Sequence, residues 1–180
     1  MKNNVTTLQK SHEYNWYVIY VNSRSEKKVV SELQEQAIHA WAPLVRTLRQ
    51  WSDRRKMVEV PLFTGYVFVK IRWRDYLKVL QTPNVVAFVR FESKPAIVPP
   101  YQIDNLKILI QEKPEFRVTN QHFETGDPVI IEAGPLKGLQ GHLIKKKGKT
   151  NLLIEVEGIT RQLVVDIHAA LVTRNHLTAG

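Results

Sequence analysis

Pro61-Leu62-Phe63-Thr64-Gly65-Tyr66-Val67-Phe68-Val69-Lys70-Ile71 is the stretch that decides the architecture. From Tyr66 onward it is β-branched and aromatic, the strongest strand pattern in the chain, and Gly65 at its entry marks a bend or a close backbone approach. Phe63 and Tyr66 are either plain core or the wall of a partner pocket on the sheet, with Tyr66 offering a hydroxyl. Upstream, Trp16-Tyr17-Val18-Ile19-Tyr20-Val21 is a second buried-strand pattern. Ser23 and Glu26 have capping-box spacing and announce a helix. Its Val29, Val30, Leu33, Ala37 and Ile38 make one apolar stripe that stops near Pro43. Residues 44–48 and 57–60 are strand-like, joined by the polar segment 49–56. Downstream, Trp73, Tyr76, Leu77 and Leu80 fit one helical face ended by Thr82-Pro83-Asn84. A strand over 85–91 follows, then a helix opened by Pro99-Pro100 with Ile103, Leu106 and Ile110 in step. Helices interleaved with strands must cover a sheet, so residues 15–112 form a two-layer α/β sandwich after a flexible N-terminus, 1–14.

The remainder differs in kind. Residues 113–122 are polar, contain Pro114 and read as a linker. In 123–180, short strands at 127–132, 141–147, 152–156 and 162–165 are separated by Gly134-Pro135, Gly138, Gly148 and Gly158. That pattern predicts a small β-barrel, closed or nearly so. The fold class is α+β in two domains.

Composition narrows the chemistry. The chain has 180 residues, 43% hydrophobic and 24% charged, which is globular composition. It has no cysteine, which excludes disulfides, thiolate metal sites and cysteine nucleophiles. Six histidines are scattered without metal-ligand spacing, and no nucleophile elbow surrounds a serine. Gly148-Lys149-Thr150 imitates the end of a phosphate loop, but Leu143 stands where that loop needs glycine, so it reads as a turn. A non-enzyme without cofactor is expected. No apolar run approaches the roughly 20 residues of a membrane span, and 1–15 has no apolar signal core, so a cytoplasmic protein without membrane contact is expected.

Charge points to the partner. Lys+Arg number 26 against 17 Asp+Glu, a formal +9. Residues 46–78 alone carry 9 basic and 3 acidic side chains. Arg46, Arg49, Arg54, Arg55 and Lys56 surround Trp51 at a predicted hairpin tip. Either the guanidinium groups hold phosphates while the indole stacks, or the hairpin is solvated and Trp51 folds back on its own sheet. Lys145-Lys146-Lys147-Lys149 reads as a charged hairpin.

These motifs resemble the NusG family of transcription elongation factors along nearly the whole chain. Trp16-Tyr17-Val18 is similar to the family's opening strand. Leu62-Phe63-Thr64-Gly65-Tyr66-Val67-Phe68-Val69 is similar to its signature, in which proline is usual at Thr64. Thr82-Pro83-Asn84-Val85 with Phe88-Val89 matches the segment after its second helix. Gly126-Asp127-Pro128-Val129 and Gly134-Pro135-Leu136-Lys137-Gly138-Leu139-Gln140-Gly141 resemble a KOW motif, carried by Gly126, Asp127, Gly134, Pro135, Lys137, Gly138 and Gly141. Arg49-Gln50-Trp51-Ser52-Asp53-Arg54-Arg55-Lys56 is similar to a specialised branch, the UpxY-like antiterminators of capsular-polysaccharide operons.

The resemblance implies a ferredoxin-like first domain and an SH3-like KOW barrel. It also implies that the first domain binds the clamp helices of the largest RNA polymerase subunit and suppresses pausing and termination. Tyr17, Phe63, Gly65 and Tyr66 are the residues carried over for polymerase binding. Arg24, Lys27, Lys28, Arg49, Trp51, Arg54, Arg55 and Lys56 are the candidates for contact with DNA or nascent RNA. A ribosomal protein is a further candidate partner for the KOW module, although its turn Val156-Glu157-Gly158-Ile159 lacks the family's aromatic residue. A monomer is expected. The competing reading is a KOW-containing RNA-binding or ribosome-associated protein without polymerase contact.

Overall fold

The computed structural model describes residues 13–50, 54–119, 126–146, 149–167 and 172–174. The chain divides into two compact units between Val98 and Pro99. The first runs β1 (Tyr14–Val21), α1 (Glu26–Glu35), β2 (His39–Trp41), β3 (Leu44–Gln50), β4 (Arg55–Pro61), β5 (Tyr66–Arg72), a 3-10 turn (Trp73–Asp75), α2 (Tyr76–Leu80), β6 (Val85–Phe88), β7 (Arg90–Phe91), β8 (Lys94–Pro95) and β9 (Ile97–Val98). Strand β1 is central: β5 pairs with one edge, while β6 and β9 share the other, all antiparallel. Strand β2 extends the sheet beyond β5. Strands β3 and β4 form a separate two-stranded ribbon.

Period two sorts the side chains of this sheet. Tyr17, Ile19 and Val21 of β1 join Val67, Val69 and Ile71 of β5 in a core with Val29 and Leu33 of α1 and Val79 of α2. Trp16, Val18 and Phe68, of opposite parity, are buried too, which explains why both strands are apolar without alternation.

Two local expectations change. Helix α1 has Ser25 at its N-cap with no side-chain cap bond, and Glu26, instead of closing a capping box with Ser23, accepts the Gly65 N–H at 2.7 Å. The helical face around Trp73 is rephased: Trp73 stacks on Tyr76 and Val79 is buried, whereas Leu77 and Leu80 are exposed. The 3-10 start, with about three residues per turn, displaces the stripe by one position.

The signature segment is a tight turn. Tyr66 N–H bonds to Phe63 O at 3.3 Å, and Gly65 between them has φ +83°. That is the third residue of a type II turn, which needs glycine, while proline suits the second, here Thr64.

The second unit contains α3 (Pro100–Glu112), β10 (Phe116–Thr119), β11 (Pro128–Ile131), β12 (Gln140–Lys146), β13 (Lys149–Ile154), β14 (Gln162–Asp166) and β15 (Val172–Arg174). The strands form one antiparallel sheet in the order β10-β14-β13-β12-β11-β15. Ile144, Leu153 and Val164 form its central cluster. Gly141 is required by close approach, because a Cβ there would overlap the Leu153 carbonyl oxygen. Strands β12 and β13 pair up to Lys146 and Lys149; the glycine turn expected at Gly148 lies outside the described residues.

The sequence boundary at residue 112 therefore differs from the packing boundary. Helix α3 clusters with the β module, and the expected linker contains β10, whose Phe116 to Thr119 pair with Val165 to Gln162.

Thr64→Pro should raise stability by roughly 0.4–1 kcal/mol, since proline restricts the unfolded chain at a compatible position. Gly65→Ala should lower it by more than that, through strain at positive φ. Urea midpoints at unchanged slope check both; a stabilising Gly65→Ala would disprove the turn assignment.

Candidate functional site

The signature turn delivers β5 to β1 so that Tyr66 lies directly across from Tyr20. The two rings are 5.0 Å apart, inclined at 45°. A hydrogen bond to Tyr66 raises the Tyr20 phenol above its ordinary value, and partial burial and the neighbouring phenol add to this. Tyr20 is 37% exposed and Tyr66 half-buried. At the far end of the same ladder, the Arg72 guanidinium lies 5.0 Å from the ring of exposed Tyr14. Such a pairing of apolar ring and polar tip is what protein interfaces use.

The carried-over residues separate into two groups. Tyr17 and Phe63 are interior, 3% and 0% exposed. Tyr17 packs against Trp73 and, edge-on, Phe88, and burial raises its phenol pKa. Neither ring faces outward in this fold, because Tyr17 belongs to the inward parity of β1 and Phe63 begins a turn that closes inward. Gly65 and Tyr66 remain accessible in part. Tyr20 is the surface residue that sequence reasoning missed; it lies between buried Ile19 and Val21 in a run apolar on both parities, so no alternation marks it.

The basic ribbon is the second feature. Its one face pairs Arg46 with Glu59, Leu48 with Met57 and Gln50 with Arg55; its other face pairs Val45 with Val60, Thr47 with Val58 and Arg49 with Lys56. Leu48 and Met57 are both exposed, an apolar step between cationic neighbours. Glu59 accepts from Lys27 of α1 at 3.3 Å and from Arg46 at 3.4 Å. These bonds, Lys27 first, hold its carboxyl below the usual carboxylate value. Lys28 faces Glu32 at 3.8 Å, and Arg55 donates to Gln50 at 2.8 Å. Arg49, Arg54 and Lys56 are exposed and have no acid partner among the described residues, and Arg24 is exposed at positive φ before α1. Trp51 lies outside the described residues. The structure thus brings Lys27 to the ribbon and leaves Arg24 and Lys28 apart from it.

The residues that resemble a KOW motif have structural duties. Gly126 N–H donates to Leu143 O at 3.0 Å, Asp127 O accepts from Leu143 N–H at 3.1 Å, and Gly138 N–H donates to Ile131 O at 2.8 Å. Gly126 and Asp127 lead into β11, while Gly134, Pro135, Lys137 and Gly138 lie in the reversal from β11 to β12. Among the described residues, no group of three or more His, Asp or Glu could hold a metal, and no helix is long and apolar enough to cross a membrane.

A helix-backed antiparallel sheet bearing a basic ribbon is followed along the chain by a glycine-turned β module. The family model described as "Transcription termination factor nusG" matches residues 14–107. The transcription termination/antitermination protein NusG of Lactococcus lactis subsp. lactis is 27% identical over 173 residues, covering 88% of this chain and 92% of the relative. That of Bacillus subtilis is 27% identical over 163 residues, covering 81% and 91%, and that of Pasteurella multocida 24% over 158 residues, covering 79% and 86%. A solved structure described as "Domain interaction in Thermotoga maritima NusG" aligns at TM-score 0.45 and 21% identity, over 91% of this chain and 98% of that one. The chain belongs to the NusG family of transcription termination/antitermination factors.

Because the folded Glu59 value is depressed, its bonds to Lys27 and Arg46 are complete above the ordinary value of 4.5 and are lost as pH falls through the lower one. A carboxyl NMR titration should place Glu59 below 4.5 and move it upward in Lys27→Ala. A wild-type midpoint at or above 4.5 would sever the link between helix and ribbon.

Proposed function

We propose that this protein regulates transcript elongation by binding RNA polymerase through the surface centred on Tyr20 and Tyr66, suppressing pausing and termination. The paired, half-exposed rings beside the signature turn carry this reading. They sit on a rigid ladder, so docking orders little that is not already ordered. The contact surface, following the family resemblance, is the clamp helices of the largest subunit. Binding that favours a closed clamp by about 1.4 kcal/mol changes the open–closed equilibrium tenfold, with no bond chemistry.

The ribbon adds the second contact. Arg49, Arg54, Arg55 and Lys56 are placed to neutralise phosphates of DNA or nascent RNA near the polymerase. Together with the resemblance of residues 49–56 to UpxY-like factors, this supports an operon-specific antiterminator of surface-polysaccharide operons.

Tyr66→Ala should keep its fold and weaken binding to purified core polymerase by about tenfold or more, with a matching loss of terminator readthrough. Unchanged binding by a folded variant would remove this surface from the contact. Salt-labile retention on RNA alone, with polymerase ignored, would favour the RNA-binding or ribosome-associated reading. Separately, Arg54→Glu with Arg55→Glu should lower nucleic-acid affinity and flatten the dependence of log K on log salt by roughly one unit or more. Equal affinity and slope in the double variant would return the ribbon to a solvated hairpin.

A further inference from the structure

One face of the ribbon is exposed from the Arg46–Glu59 rung, through Leu48–Met57, to the Gln50–Arg55 rung. The opposite face is half-buried at Val45, Thr47, Val58 and Val60 and becomes exposed at Arg49 and Lys56. In the middle of the exposed face, Leu48 and Met57 lie directly across from each other, 55% and 56% exposed. This aliphatic rung is hemmed by the Arg46–Glu59 ion pair on one side and the hydrogen-bonded Gln50 and Arg55 on the other.

We propose that this face reads duplex DNA in the major groove, with Leu48 and Met57 meeting the C5-methyl groups of thymine. The proposal rests on the ribbon being a nucleic-acid contact, and it names the ligand class. Charge selects a polyanion, since residues 44–50 and 54–61 carry five cations against one carboxylate, Glu59. Two aliphatic side chains between charged rungs make a poor centre for a protein interface, where charged residues are depleted. They also offer no aromatic platform on which the bases of a single strand would stack. Shape fits the duplex: a ribbon with strands about 4.8 Å apart enters a groove about 12 Å wide. The thymine methyl is the apolar group on that groove's floor. Alternate rungs are about 6.8 Å apart, roughly two base-pair steps, so Gln50 and Arg55 face a base edge two steps from the methyl contact. Arg49 and Lys56, on the back of the ribbon, have stems long enough to turn toward phosphates at the groove's rims. RNA is disfavoured twice, because its duplex major groove is deep and narrow and uracil lacks the methyl.

The test measures binding of the full chain to an alternating A·T duplex synthesised with thymine or with deoxyuridine, and to an alternating A·U RNA duplex. The wild type should bind the thymine duplex about fourfold or more tighter than the deoxyuridine one, and the RNA more weakly than either. Leu48→Ala with Met57→Ala should abolish the thymine preference and keep the salt slope. Arg49→Ala with Lys56→Ala should keep the preference and flatten the slope of log K against log salt by roughly two units. Equal wild-type affinity for the two DNA duplexes overturns the methyl contact while leaving a phosphate-binding ribbon, and that comparison needs no variant. A preference that survives in the Leu48/Met57 double variant, or RNA bound as tightly as the thymine duplex, overturns it as well. Failure to bind any of the three overturns this proposal together with the nucleic-acid role of the ribbon.

Discussion

A buried carboxylate holding one backbone N–H sets the geometry of the first unit. Glu26 is 2% exposed and takes the Gly65 N–H at 2.7 Å, while Gly65 O takes the Val21 N–H at 2.9 Å. The turn is thereby clamped by α1 on one side and β1 on the other. Strand β5 enters the sheet in one register, with Tyr66 across from Tyr20 and Phe68 across from Val18. A slip of one residue would turn Val67, Val69 and Ile71 out of the core. A charge-assisted bond is stronger than a neutral one, and an apolar residue at 26 would leave the Gly65 N–H without its acceptor. Core packing, turn and aromatic surface are thus consequences of one contact.

The same logic of pairing sorts the charges. Lys27 and Arg46 share Glu59 near the base of the ribbon, whereas Arg49, Arg54 and Lys56 near its tip have no acid partner among the described residues. Exposed ion pairs add little stability, so the Glu59 contacts matter chiefly as a bearing for the ribbon against α1. On the described part of the ribbon, the cations without an acid partner therefore gather away from Glu59.

What could be read from sequence follows from how local each signal is. Strands β1 and β5 and helices α1 and α3 announce themselves by residue type and spacing. The exposed aromatic residue does not: residues 16–21 are apolar on both parities, so alternation cannot say that Tyr17 faces the core and Tyr20 the surface. Phe63 is misplaced for the same reason, since a large apolar residue beside a turn fits either side. Ser23 and Glu26 satisfy a capping pattern, yet the tertiary acceptor role at Gly65 wins over the local one. The rephased Trp73 segment depends on a single 3-10 turn, and β10 is too short to stand out within a polar stretch.

The polar line on α3 was the least legible feature, and the reason is physical. Hydrophobic periodicity finds Ile103, Leu106 and their neighbours because water rejects them whatever lies opposite. Gln102 and Asn105 are buried only because Glu157 and Gln140 present matching backbone groups, a fact about another segment of chain. Apolar burial weakly distinguishes partners, whereas a side-chain amide set against one backbone residue tolerates little displacement. Each of these bonds can nevertheless be traded for water at a small net cost. Contacts of this kind specify an arrangement closely, while Ile103, Leu106 and Leu109 beside them supply the apolar burial that holds it.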